Sequence, residues 1–200
     1  MKAKLDDGRI VHLNEDGTWS FVDGSGQALI TSEHGFRRAK WGQSKSDVLR
    51  IEDSEPTLHK SDALGYLGKI ATFDCFIFYT FVDDRLANGR YALREEHSNL
   101  NFHLSDYETL ETLLTKKYGP CTEQQEFWSD DLYRDDYSQW GQAVAYGHYL
   151  KLTRWSGPET EVKLGISGDN FEVHVYIDYF ATALEDVLHS KRQDRYLEDL

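Results

Sequence analysis

Long apolar runs are missing from this sequence. No stretch approaches the roughly 18 residues that a membrane-crossing helix needs, so none is expected. Basic residues are in the minority, with 22 Lys and Arg against 35 Asp and Glu and a formal charge of -13. A field of that sign repels phosphate backbones and anionic lipid, which argues against nucleic acid and membrane surfaces; it suits a basic partner or a cation, or serves solubility alone. Cysteine is scarce. Cys75 lies in an apolar run and Cys121 directly follows Gly119-Pro120, a spacing that fits neither a CxxC redox pair nor a zinc site. Both thiols are expected to be buried, with a disulfide between them an alternative only in an oxidising compartment. The sequence also lacks GxSxG, Walker, HExxH and GxGxxG patterns, so no catalytic residue and no cofactor is assigned. The opening Met1-Lys2-Ala3-Lys4-Leu5-Asp6 has no apolar signal-peptide core, which points to the cytoplasm, or to the periplasm if an upstream signal has been removed.

Core-forming residues are plentiful. Hydrophobic side chains make up 40% of the 200 residues, enough to bury a sizeable core without disulfides or a structural metal. Two β-prone runs, 8–13 and 18–23, flank the turn cluster Asn14-Glu15-Asp16-Gly17 and predict an N-terminal hairpin, followed by a linker to about residue 35. Ser44 and Asp47 form an acidic variant of the capping box and predict a helix from Lys45 to Asp53, closed before Pro56. Strands are expected at 64–70, 72–82 and 89–96, with Asp83 to Gly89 as a turn. Ser105-Asp106-Tyr107-Glu108 is a full capping box, and Gly119-Pro120 supplies a stop, which together predict a helix from Ser105. Three further strands at 149–155, 161–167 and 171–179 precede a C-terminal helix from about Ala181 to Leu197, with Gly168-Asp169-Asn170 as the last hairpin turn.

The order predicts an α+β fold with a predominantly antiparallel sheet: a hairpin and linker in 1–35, then a domain in 36–200. That domain holds two tandem α-βββ units, 36–104 and 105–180, and the C-terminal helix.

Two segments carry resemblances. The run from Gly8 to Phe21, with Gly8-Arg9, Val11, Leu13 and Asp16-Gly17-Thr18-Trp19, resembles an N-terminal hairpin of assorted bacterial proteins, often of the envelope. Phe36-Arg37 with Trp41-Gly42-Gln43-Ser44 and Val48 is similar to the helix start of bacterial domains with a β-lactamase-inhibitor-protein-like fold, the small outer-membrane assembly lipoproteins among them. That resemblance implies a scaffold that binds other proteins through a sheet face and loops, with no catalytic residues to carry over.

The most unusual stretch runs from Glu123 to Trp140, where six acids and Arg134 interleave with Phe127, Trp128, Tyr133, Tyr137 and Trp140. Rigid aromatics anchor interfaces and carboxylates steer a basic partner. Trp128, Asp130, Asp131, Tyr133, Asp135, Asp136 and Tyr137 are therefore the expected partner-binding residues, unless the aromatics face the core and only the acids face water. A calcium loop lacks its Asp-x-Asp-x-Asp-Gly order here. The eight histidines are scattered; His97 and His103 fall near Glu95 and Glu96 at a strand end, but solvated turn residues of this kind are common and no metal site is expected. The function expected from these features is a non-enzymatic protein-binding module, of inhibitor or immunity type. An enzyme or small-ligand binder whose pocket is lined by Tyr66, Tyr79, Tyr91, Tyr149, Tyr176 and His174 is one alternative, and an envelope accessory protein is another.

Overall fold

The computed structural model of the chain describes residues 2–4, 10–13, 19–22, 35–188 and 190. Strands β1 (Lys2–Lys4), β2 (Ile10–Leu13) and β3 (Trp19–Val22) form a small antiparallel sheet with β2 in the middle. The expected hairpin pairs Ile10 with Val22 and Leu13 with Trp19. Its turn and the linker lie outside the described residues.

A two-stranded hairpin, β4 (Gly35–Phe36) and β5 (Ala39–Lys40), leads into α1 (Lys45–Ile51). The acidic capping box is formed: the Asp47 amide donates to Ser44 Oγ at 3.2 Å, and the Ser44 amide donates to Asp47 Oδ2 at 3.2 Å. These bonds satisfy amides that a helix start otherwise leaves open. The Ser44 hydroxyl, which donates to Asp47 Oδ2 at 2.6 Å, and then the Ser44 amide hold the Asp47 carboxyl below its ordinary range.

Two helix-then-meander units follow. The first runs from α1 into β6 (Leu58–His59), β7 (Ala63–Ile70), β8 (Phe73–Val82) and β9 (Arg85–Leu93). The second runs from α2 (Asn101–Tyr118) into β10 (Glu123–Trp128), then through a 3-10 turn (Tyr137–Gln139) and α3 (Trp140–Ala145) to β11 (Tyr149–Ser156), β12 (Thr160–Asp169) and β13 (Glu172–Ala181). Each unit thus carries a fourth strand, short β6 in one and β10 in the other. Their last strands, β9 and β13, pair antiparallel, so the two meanders fuse into one eight-stranded sheet in the order β10-β11-β12-β13-β9-β8-β7-β6. The fold is α+β with a mostly antiparallel sheet.

Period-two alternation sorts the strands' side chains onto two faces. Val175, Ile177 and Tyr179 of β13 share a face with Leu164 and Ile166 of β12 and with Tyr79 of β8, and these make the core with Val48, Tyr107, Leu110 and Leu114 from the helices. The opposite face carries Leu67, Phe76, Phe127 and Leu150, which stay partly exposed, and the paired charges Arg90 and Asp178.

Four expectations need correction. Helix α2 begins at Asn101, one turn ahead of the capping box, with Leu100 at the cap and no side-chain cap bond. The early turn buries Leu104 and His103, and a buried leucine contributes about 2 kcal/mol, against about 1 kcal/mol for a side-chain cap. The turn after β8 is only Asp83-Asp84, both at positive φ, and Gly89 lies inside β9. A Cβ at Gly89 would fall 2.1 Å from the Phe36 ring, so this glycine serves close approach and not a turn. Gly168 is likewise inside β12, where a Cβ would meet the Val144 carbonyl oxygen of α3 at 2.0 Å; the turn is Asn170-Phe171. Cys75 is buried as expected but Cys121 is exposed, since it follows α2 in the connection to β10. At the C-terminus β13 gives way to a 3-10 turn, Thr182–Leu184, with Leu184 and Leu188 buried; residues beyond 190 lie outside the described ones.

Candidate functional site: an acidic and aromatic end of the sheet

The stretch from Glu123 to Trp140 does not act as one loop. Its first third is the edge strand β10, which pairs with β11 so that Trp128 stands opposite Tyr149. Trp128 turns to the core face and packs on Tyr149, with centroids 4.4 Å apart, and edge-on against Trp140 at 5.4 Å. The Trp140 indole N–H donates to the Arg134 carbonyl at 3.0 Å. Trp128 and Trp140 are therefore framework residues. Tyr137 is exposed and its hydroxyl donates to Glu108 of α2 at 3.3 Å; partial burial, and then the charge and hydrogen bond of Glu108, raise its pKa.

The carboxylates face water, and several have local backbone roles. Asp130 accepts from the Leu132 amide at 2.8 Å, Asp136 caps the 3-10 turn by accepting from the Ser138 amide at 3.0 Å, and Asp131 pairs with Arg134 at 2.9 Å. Asp135 is exposed. The Asx bonds of Asp130 and Asp136 set the loop's shape without consuming their charge, whereas Arg134 partly offsets that of Asp131.

The middle of the segment meets two other connections at one end of the sheet. Ser129 donates its amide to the His148 carbonyl at 2.8 Å, tying the loop to the turn after α3. The Phe171 amide donates to the Ala145 carbonyl at 3.1 Å, tying the β12–β13 turn to the same place. Tyr133 stacks on His148 and Tyr146 with centroids about 6.2 and 6.1 Å away, and Tyr146 meets Phe171 edge to face at 5.3 Å. His148 Nδ1 is buried without a hydrogen-bond partner.

Phe171 is the outlier of the group. It and Asn170 form a two-residue turn with φ of 70° and 50°. That conformation suits Gly and Asn, whereas a bulky side chain in the left-handed region costs roughly 1–2 kcal/mol. Yet Phe171 is 68% exposed, so burial does not offset the cost. Leu132, across in the acidic loop, is also 68% exposed. Asp169 and Glu172 flank the phenylalanine, both exposed. Of the residues expected from sequence, Tyr133 is thus joined by Tyr146 and His148, and through Tyr146 by Phe171, while Asp130, Asp131 and the exposed Leu132 precede it in the loop. Trp128 turns inward, and Tyr137 leans toward α2. Only the Asp169-Asn170 pair before an aromatic residue hinted at Phe171, and it was masked by the nearby glycine.

The polar pocket envisaged for a small ligand is divided by register. Tyr66, Tyr79, Tyr91 and Tyr149 lie on the helix-covered face, while His174 and Tyr176 share the other face with Asp178. Beneath the sheet the Tyr79 hydroxyl donates to Glu52, which also accepts from Arg37 Nε at 3.1 Å; burial pushes the Tyr79 pKa up. Arg37 also bonds the Tyr91 hydroxyl, so these four side chains spend their polar groups on one another. Comparison with protein-family models, with curated proteins and with solved structures finds no match to this chain.

Proposed function

We propose that the chain is a non-enzymatic protein-binding module of inhibitor or immunity type that sequesters a basic partner. The observation that carries this reading is Phe171, held exposed in a strained turn, edge to face with Tyr146 and with Asp169 and Glu172 close to it in sequence. Strain kept where burial does not compensate for it belongs to functional surfaces more often than to scaffolds. In this reading Phe171, Tyr146 and Leu132 are the contact anchors, and Asp130, Asp131, Asp169 and Glu172 speed the encounter with positive charge. The net charge of -13 and the resemblance to protein-binding scaffolds support the same reading.

The test begins with immobilised full-length protein and a lysate of its source, followed by kinetics with the purified partner. Wild type and Phe171→Ser/Leu132→Ser are compared, both checked for native circular dichroism. A basic partner retained by the wild type and lost by the folded variant is the expected result. Equal retention by both, or partners without positive charge, would remove this surface from consideration.

A further inference from the structure

Two histidines and a carboxylate converge where the connection from β9 enters α2. His103 and Asp106 are three residues apart in α2 and so share a face, while His97 reaches them from the preceding connection. His97 Nε2 lies 2.6 Å from Asp106 Oδ2, and the His97 and His103 rings meet edge to face with centroids 4.6 Å apart. One donor atom from each of the three side chains lies within 4.8 Å of the other two. The set is largely withdrawn from solvent: His103 is buried, and the side chains of His97 and Asp106 are 21% and 13% exposed.

We propose that His97, His103 and Asp106 bind one divalent transition-metal ion of the zinc class, through two imidazole nitrogens and a carboxylate oxygen. Calcium and magnesium favour all-oxygen sets, whereas imidazoles with one carboxylate suit Zn²⁺, Co²⁺ or Ni²⁺. An ion with bonds of about 2.0–2.2 Å in tetrahedral geometry places its ligand atoms roughly 3.4 Å apart. The widest separation here must close by at most about 1.4 Å, which side-chain rotation supplies, and the His97–Asp106 contact opens to admit the ion. A plain ion pair anchoring the connection to α2 accounts for His97 and Asp106 alone. It gives no reason for a second imidazole to be buried against the first beside the same carboxylate. Three protein ligands leave a fourth position for water or another ligand. The ion would fasten the connection between the two meanders to the start of the second helix.

The experiment uses the full chain, stripped with chelator, titrated with Zn²⁺ in a calorimeter and with Co²⁺ by visible absorption. One equivalent should bind, with the intense d–d bands of low-symmetry cobalt, and should raise the melting temperature. His97→Gln and Asp106→Asn should each weaken binding by at least about 100-fold, since even outer-shell losses cost 10–100-fold. His59→Gln, at an exposed site in β6, should leave binding unchanged. Because His103 is buried and its variant can fail to fold, the partly exposed His97 carries the test. No binding at one equivalent, or unaltered binding in folded His97→Gln and Asp106→Asn, overturns the proposal.

Discussion

Arg90 of β9 grips Asp178 of β13 with both arms of its guanidinium: Nε donates to Oδ1 at 2.6 Å and an Nη donates to Oδ2 at 2.5 Å. The two residues are direct cross-strand partners at the seam where the two meanders join. Their exposures differ, with the Asp178 side chain at 6% and that of Arg90 at 41%. Removing Arg90 strands a buried carboxylate, whereas removing the Asp178 charge leaves a guanidinium that water can reach. Arg90→Met should therefore cost roughly 3 kcal/mol and Asp178→Asn only about 1–2 kcal/mol. Urea unfolding of both single variants and the double variant measures this, and the double should cost less than the sum of the singles. Equal costs for the two singles would show that burial of the carboxylate does not govern the pair.

Phe171 gives a prediction in which stability and binding move in opposite directions. Phe171→Gly releases left-handed strain worth roughly 1–2 kcal/mol and loses an edge contact with Tyr146 worth roughly 0.5–1 kcal/mol. The free protein should thus be about as stable as wild type or up to about 1.5 kcal/mol more so, while its complex with the partner dissociates faster. Trp128→Ala should do the reverse of what an anchor does and destabilise the free protein by about 3 kcal/mol, because it removes a partly buried indole packed on Tyr149 and Trp140 at the edge of the core. Asp130→Lys/Asp131→Lys should slow association several-fold at low salt, and the difference should shrink as salt rises, since screening acts over about 10 Å at 0.1 M. Chemical denaturation and stopped-flow mixing check the two halves; destabilisation by Phe171→Gly would mean that the turn is structural.

Gly89 and Gly168 should resist alanine. At Gly89 the added methyl meets the Phe36 ring, and at Gly168 it meets the backbone of α3, neither of which is a flexible side-chain end. Overpacking of this kind costs roughly 1–3 kcal/mol or more, with the larger loss expected at Gly168 where backbone must shift. Thermal denaturation of Gly168→Ala and Gly89→Ala tests the order.

The two thiols should separate cleanly in an alkylation assay. Cys121 is exposed and should react in the native protein, while Cys75 should wait for unfolding. Burial pushes the Cys75 thiol up from 9.0 to about 11. The native state therefore holds this proton more tightly than the unfolded chain, and the resulting stability is fully present below pH 9 and lost as pH rises through about 11. Cys75→Ser should flatten that alkaline fall, as read from melting temperature against pH between about 8 and 11. An unchanged slope in the variant would assign the fall to other groups.

The sequence by itself determined the α+β class, the antiparallel pairing and the order of helix-then-meander units. These rest on local signals: alternation in β13, the almost unbroken apolar run of β8, and the Ser44 capping box, which forms as read. It also located the acidic segment and weighed the outcome in which aromatics turn inward, as Trp128 and Trp140 do. Tertiary structure decided the rest, because the deciding partners are far apart in the chain. Gly89 and Gly168 look like turn residues until Phe36 and Val144 are seen above them. The start of α2 follows the burial of Leu104, which outweighs a capping box one turn later. The pairing of β9 with β13, and with it the Arg90–Asp178 bridge, has no local signature because strand pairing across the seam depends on two whole meanders packing under one helical layer. Tyr146, His148 and Phe171 gather beside Tyr133 for the same reason: hydrogen bonds from Ser129 and Phe171 to two distant carbonyls bring three loops together that the one-dimensional pattern keeps apart.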